Sequence, residues 1–180
     1  GKPYATLHFK YDASGKPLSA DQFSSGGDLY AHFDYRSDGS SLRTQYTDGH
    51  VSQTIWSKPG SDSVTFNFDQ SGAKVSEIIK HTDNSQAIVS LGQNQSFMAS
   101  GASDTFIFHG GNGQTTINGF SAGDGTNHDV IQIDHGLAAL YSDLSIHTSG
   151  NDTVISFGQD TVLLKGIAAL TLTHNDFLFV

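Results

Sequence analysis

The chain has 180 residues, 36% of them hydrophobic and 15% charged, with no cysteine, three prolines and twenty glycines. That length suits one or two small domains, and the missing cysteine excludes disulfides and thiol chemistry, so a small extracellular domain needs another staple such as bound metal. Nine Lys and Arg stand against eighteen acids, a formal charge of -9; phosphate backbones and anionic membranes demand clustered Lys and Arg, so neither nucleic acid nor membrane is an expected partner.

The charge is uneven. Residues 1–90 carry eight Lys/Arg and ten acids, a difference of -2, whereas residues 91–180 carry Lys165 against eight aspartates, a difference of -7. All the acids but Glu77 are aspartate, the balance of turns and hard-cation loops and not of exposed helices. No apolar run approaches the roughly eighteen residues that a bilayer span needs, and the first residues do not read as a signal peptide.

In chain order, the first half alternates apolar and polar residues between turn signals, as half-buried antiparallel strands do. One unit recurs: His8-Phe9-Lys10-Tyr11-Asp12-Ala13-Ser14-Gly15, His32-Phe33-Asp34-Tyr35-Arg36-Ser37-Asp38-Gly39 and Thr65-Phe66-Asn67-Phe68-Asp69-Gln70-Ser71-Gly72. Each is an aromatic strand running into a turn, and alternation resumes beyond it, so a meander of hairpins is expected. The pairs Phe9 with Tyr11, Phe33 with Tyr35 and Phe66 with Phe68 should share one face and form a core. Basic residues stop and Gly, Ser, Asn and Asp thicken near Leu91 to Ser100, which places a domain boundary there, giving modules 1–95 and 96–180. Beyond it, 105–108, 115–117, 130–133, 153–157 and 161–164 read as short strands, and Leu137 to Leu144, after Gly136, as a short helix.

Two turn-strand units stand at the start of the second half, Ala99-Ser100-Gly101-Ala102-Ser103-Asp104-Thr105-Phe106-Ile107 and Gly110-Gly111-Asn112-Gly113-Gln114-Thr115-Thr116-Ile117-Asn118. Each resembles the nonapeptide of calcium-binding parallel β-rolls, in which glycines turn the backbone and an aspartate supplies a carboxylate. Together with Gly119-Phe120-Ser121-Ala122-Gly123, Asp129-Val130-Ile131-Gln132-Ile133, Asn151-Asp152-Thr153-Val154-Ile155 and Asp176-Phe177-Leu178-Phe179-Val180, these segments resemble, over about 80 residues, the carboxy-terminal region of serralysin-type and other RTX exoproteins exported by type I secretion. The resemblance implies a short parallel β-roll with a capping segment for the second half; with the antiparallel meander read from the first half, the expected fold is all-β. The resemblance also implies a secreted, extracellular location, calcium-dependent folding, type I secretion machinery as partner and an export signal in the last residues. It does not imply the family's proteolysis, because the zinc-protease motif is missing.

Several constellations are candidates for chemistry. Asp124, Asn127 and Asp129 offer oxygen ligands within six residues beside Gly123 and Gly125, and with Asp104, Gly111 and Gly113 they form the expected Ca2+ set. Gly119 to Gly123 matches a nucleophile elbow, but Asp124 to Asn127 follows where a hydrolase has a helix, so no catalytic residue is expected. The nine histidines are expected to take structural or surface roles: His8 and His32 on a strand face, His128, His135, His147 and His174 in or near loops. Among the aromatics, Tyr4, Tyr30, Tyr46 and Trp56 lie outside the paired ladders. Tyr30, Tyr46 and Trp56, with Arg36 and Arg43 to take hydroxyls, are the candidates to stack on sugar rings of a polysaccharide. The expected function is thus a non-catalytic module of a secreted protein; the alternatives are part of a polysaccharide lyase or glycoside hydrolase with catalytic residues elsewhere, or an adhesin domain.

Overall fold

The computed structural model describes residues 6–180, so Tyr4 lies outside the described residues. The protein is all-β and divides into two compact units, Gly1–Lys74 and Val75–Val180. The composition shift at 91–100 falls inside the second unit, because β8 (Gln86–Ser90), which precedes the shift, already pairs with β10 (Thr105–Phe108), which follows it.

The first unit contains β1 (Thr6–Tyr11), β2 (Pro17–Phe23), β3 (Leu29–Tyr35), β4 (Ser41–Thr47), β5 (His50–Ser57) and β6 (Ser63–Phe68), each paired antiparallel with the next. The repeated turns have one mechanism: the carboxylates of Asp12, Asp38 and Asp69 each accept from the backbone N–H and the hydroxyl of the serine two residues on, at 2.7–3.0 Å. The glycines that close them, Gly15, Gly39 and Gly72, have φ of 82°, 83° and 83°, a backbone region in which a Cβ is penalised.

Register corrects the expected aromatic core. Directly opposed residues share a face, and Phe9, Ala20, Phe33, Arg43, Ile55 and Thr65 form one cross-strand row. The row His8, Asp21, His32, Thr44, Thr54 and Phe66 therefore lies on the other face. Phe66 and Phe68 sit opposite Phe9 and Phe33, so the three pairs cannot pack as one layer. Phe9 and Tyr11 stack at 5.8 Å yet remain 42% and 58% exposed. Among the described residues of this unit the buried hydrophobics are Ala20 and Ala31.

The second unit is built differently. Here β7 (Lys74–Lys80) pairs antiparallel with β8, and β8, β10, β12 (Val130–Ile133) and β16 (Phe177–Phe179) run parallel in one sheet. In another sheet β9 (Ser96–Met98), β11 (Gln114–Asn118) and β15 (Asp160–Lys165) are parallel, with β13 (Ser145–Ser149) and β14 (Asp152–Phe157) added as an antiparallel hairpin. From β8 to β12 successive strands alternate between the two sheets, so the chain coils. Inward residues recur at every second position: Phe106 and Phe108, Ile131 and Ile133, Ile155 and Phe157, Val162 and Leu164 are all at most 2% exposed. At roughly 1.5–3 kcal/mol per fully buried side chain, this cluster is the main apolar stabilisation.

The expected helix over 137–144 is absent. One 3-10 turn, Tyr141–Asp143, occupies the region, and Asp143 Oδ2 accepts from the N–H groups of Ala139 and Leu140 at 3.0 Å. A carboxylate that collects those donors satisfies them without a helix, and eight residues are too few to offset helix nucleation.

Candidate functional site

A column of aspartates stands at the strand entries of the second unit. Asp104, Asp129 and Asp176 each directly precede a strand of the first-described sheet, β10, β12 and β16, and all three are at most 1% exposed. Their oxygens face donors. Asp104 accepts from Gln86 N–H at 2.7 Å, from Ser100 N–H at 2.5 Å and from the Ser100 hydroxyl at 2.7 Å. Asp129 accepts from Asp104 N–H and Ser121 N–H, both at 2.8 Å. Asp176 accepts from Gly123 N–H and Thr173 N–H, both at 2.6 Å. Burial raises the pKa of Asp129 above 3.8, against the pull of the Asp104 and Ser121 N–H bonds.

These contacts decide how the expected calcium ligands are used. The positive ends of N–H dipoles occupy the carboxylates of Asp104 and Asp129, the reverse of what a hard cation requires. Asp124 instead accepts from Asn175 Nδ2 at 2.6 Å, and Asn127 Nδ2 reaches toward Gly101 O at 3.5 Å. The structure therefore does not gather Asp124, Asn127 and Asp129 about one point. Among the described residues no group of three or more His, Cys, Asp or Glu gathers in a way that could hold a metal.

Gly111 and Gly113 have a different surrounding. With φ of 75° and 60° they bracket the buried Asn112, whose amide donates to Ser90 O at 2.9 Å. Gly113 N–H donates to Asp160 Oδ1 at 2.8 Å. Asp160 Oδ2 is buried without a hydrogen-bond partner, and Gly111, Gly113, Gly158 and Asp160 line a cavity of about 340 Å³. One unsatisfied carboxylate oxygen beside a glycine turn fits part of a calcium shell. Sequence reasoning missed Asp160, although it shares with Asp104 the pattern Asp-Thr followed by a buried apolar residue.

In the first unit the sugar-contact candidates separate into two groups. Tyr30 and Tyr46 line one cleft of about 640 Å³ with Ser24, Asp28, Thr47 and Asp48. The Arg43 guanidinium lies 5.9 Å from the Tyr30 ring and 5.7 Å from the Phe33 ring, within cation–π range. Trp56, opposite Leu42 and Val64, is on the face away from Arg43, and Arg36 is exposed in the turn between β3 and β4. Asp28 and Asp48 were not foreseen; the signal for the latter was Asp48-Gly49, whose φ values of 51° and 77° are those of a tight hairpin turn.

On the face away from Arg43, His32 holds two carboxylates, Asp21 at 2.5 Å from Nδ1 and Asp34 at 3.1 Å from Nε2. His8 is in the same row, as expected for a strand-face pair. Ser121 has no helix behind it and donates its N–H to Asp129, so the elbow pattern is an ordinary turn. His128 lies in a loop, its Nδ1 3.1 Å from Gly125 O, while His147 is part of β13.

No protein-family model matches the chain, and no curated protein matches it.

Proposed function

We propose that the chain is a non-catalytic module of a secreted, extracellular protein exported by type I machinery. Residues 6–74 bind polysaccharide, and residues 75–180 fold with the help of calcium after export. The binding half is carried by the cleft that brings Tyr30 and Tyr46 together: two aromatic rings offer faces to sugar rings, and Asp28, Ser24 and Thr47 offer polar groups to hydroxyls. Support for the folding half comes from the coil of parallel strands whose turns use glycines at positive φ, Gly101, Gly110, Gly111, Gly113, Gly119 and Gly123. Calcium, a hard cation that takes oxygen ligands, would be held by Asp160 beside the Gly111–Gly113 turn; Asp104 and Asp129 act as hydrogen-bonded latches between coils.

The test of binding is affinity electrophoresis of the full chain in gels containing neutral or charged polysaccharides. Retardation that disappears in Tyr30→Ala and Tyr46→Ala, with no rise in reducing ends or unsaturated sugars, is the expected result. Unretarded migration in every gel overturns the binding half, and released sugar ends overturn the non-catalytic reading. Export is tested in a cell that has the transporter. Leu178 and Val180 are 46% and 47% exposed, so Leu178→Lys with Val180→Lys should block export while leaving the melting temperature close to wild type. Undiminished export removes the secretion-signal reading.

A further inference from the structure

A second cavity, of about 330 Å³, adjoins the Tyr30–Tyr46 cleft through shared Thr47 and Asp48, and its lining includes His50, Phe68 and Asp69. The two cavities follow one edge of the first unit. Asp28 ends the turn between β2 and β3, Asp48 is in the turn between β4 and β5, and Asp69 begins the turn after β6. In an antiparallel meander the turns after even-numbered strands share an edge, and strands about 4.8 Å apart put successive turns about 9.6 Å apart.

The charges along this edge have one sign. Asp28, Asp48 and Asp69 line the cavities, and among the described residues neither cavity is lined by Lys or Arg. Arg43, the cation near Tyr30, is turned onto the Tyr30 and Phe33 rings. Asp69 keeps its charge because the Ser71 hydroxyl and the Ala73 N–H lower its pKa. An acidic glycan would meet repulsion at each turn. A neutral one would offer the three carboxylates hydrogen bonds but no opposite charge.

We propose that this edge binds a glycan carrying protonated amino groups, a de-N-acetylated hexosamine polymer. Sugar faces rest on Tyr30 and Tyr46, and ammonium groups pair with Asp28, Asp48 and Asp69. This inference rests on the polysaccharide reading of the same cleft. Exposed ion pairs contribute roughly 0–1 kcal/mol each, so two or three in register give a preference of about ten-fold. That preference weakens as salt rises.

The experiment is calorimetric titration of the full chain, in the presence of a calcium chelator, with three β-1,4-linked hexamers: glucosamine, N-acetylglucosamine and glucose. Expected is an approximately ten-fold tighter Kd for the glucosamine hexamer, falling toward the other two at high salt. The Asp48→Asn/Asp69→Asn double variant, at two acids of the second cavity that are given no role toward sugar hydroxyls, should lose the preference and keep binding of the neutral hexamers. Because the whole chain carries a charge of -9, any polycation is attracted to it. Asp12→Asn/Asp38→Asn, at the opposite edge, removes the same charge while an amide oxygen can still accept the turn bonds, and it should keep the preference. Equal affinity for all three hexamers overturns the inference while sparing the polysaccharide reading. Equal loss of preference in both double variants overturns it in favour of diffuse attraction. Binding to none of the hexamers overturns it together with the cleft assignment.

Discussion

The backbone N–H of Asp104 donates to Asp129 Oδ1 at 2.8 Å, although the two residues are 25 positions apart. The same device repeats one coil earlier, where Gln86 N–H donates to the Asp104 carboxylate at 2.7 Å. The Asp104 and Asp129 carboxylates thus each fix the start of the strand before them, and the register of β8, β10 and β12 is pinned at one end by side chains.

Asp129→Asn should therefore lower stability by about 1–3 kcal/mol. The amide oxygen can replace one acceptor, but the NH2 group must face an N–H donor. The variant should also change the pH profile. Burial raises the Asp129 pKa above 3.8, so the folded state retains the proton longer than the unfolded one. This contribution to stability is present below pH 3.8 and lost as pH rises through the folded pKa. Urea midpoints across the acid range check both effects, and an unchanged midpoint at neutral pH contradicts the latch.

His32 predicts an opposite pair of slopes. The Asp21 hydrogen bond foremost, and Asp34 after it, raise the His32 pKa above 6.5. Its contribution is complete below pH 6.5 and is lost as pH climbs through the folded-state value. The Asp21 carboxylate, lowered chiefly by His32, contributes above pH 3.8 and loses that contribution as pH falls. His32→Gln should flatten the alkaline decline of melting, an effect under about 1 kcal/mol for partly exposed pairs. Trp56, the single tryptophan, is in β5, so its fluorescence reports this unit; identical wild-type and variant profiles above pH 6.5 would rule the effect out.

Calcium should raise the melting temperature modestly, since ligand at ten times its Kd adds about 1.4 kcal/mol. Asp160→Asn should abolish the increment. Asp104→Asn should lower the melting temperature by the same amount with calcium and with chelator. If Asp104→Asn removes the calcium response and Asp160→Asn does not, the assignment of ligand and latch is reversed.

Gly92 has no room for a side chain. A Cβ there would meet Val75 Cβ and Cγ1 at 2.8 Å and its Cα at 3.2 Å. The N–H groups of Leu91 and Gly92 both donate to Val75 O, at 3.0 and 2.9 Å, so the backbone cannot retreat without losing bonds. Gly92→Ala should cost about 1–3 kcal/mol, measured by chemical denaturation, whereas Gly136→Ala, with open space at its Cβ, should be nearly silent.

Strand positions were readable wherever period two coincided with a glycine or aspartate turn. The strands expected from 105, 115, 130, 153 and 161 are all present as β10, β11, β12, β14 and β15. Ser96–Met98 and Ser145–Ser149 escaped because three to five residues of mixed polarity carry no period, and their pairing partners set them. Face assignment failed for Phe66: within one strand alternation relates Phe66 to Phe68, but only cross-strand register relates it to Phe33. Of the cleft proposed to bind polysaccharide, Tyr30 and Tyr46 were legible. Its acids were not, because their convergence depends on which turns share an edge. The calcium set could not be decided from sequence, because an aspartate before a strand serves equally as a cation ligand or as an acceptor for backbone N–H, and only the donors nearby distinguish the two.

The closure of the parallel sheet has a cost in time. Asp176 accepts from Gly123 across 53 residues, and β16 covers the free side of β12. While the ribosome is still making residues 134–176, the outer hydrogen-bonding groups of Ile131 and Ile133 have no strand to meet. The nascent chain therefore carries an open strand edge until residues 177–179 follow, and during that interval the edge is free to pair with another chain.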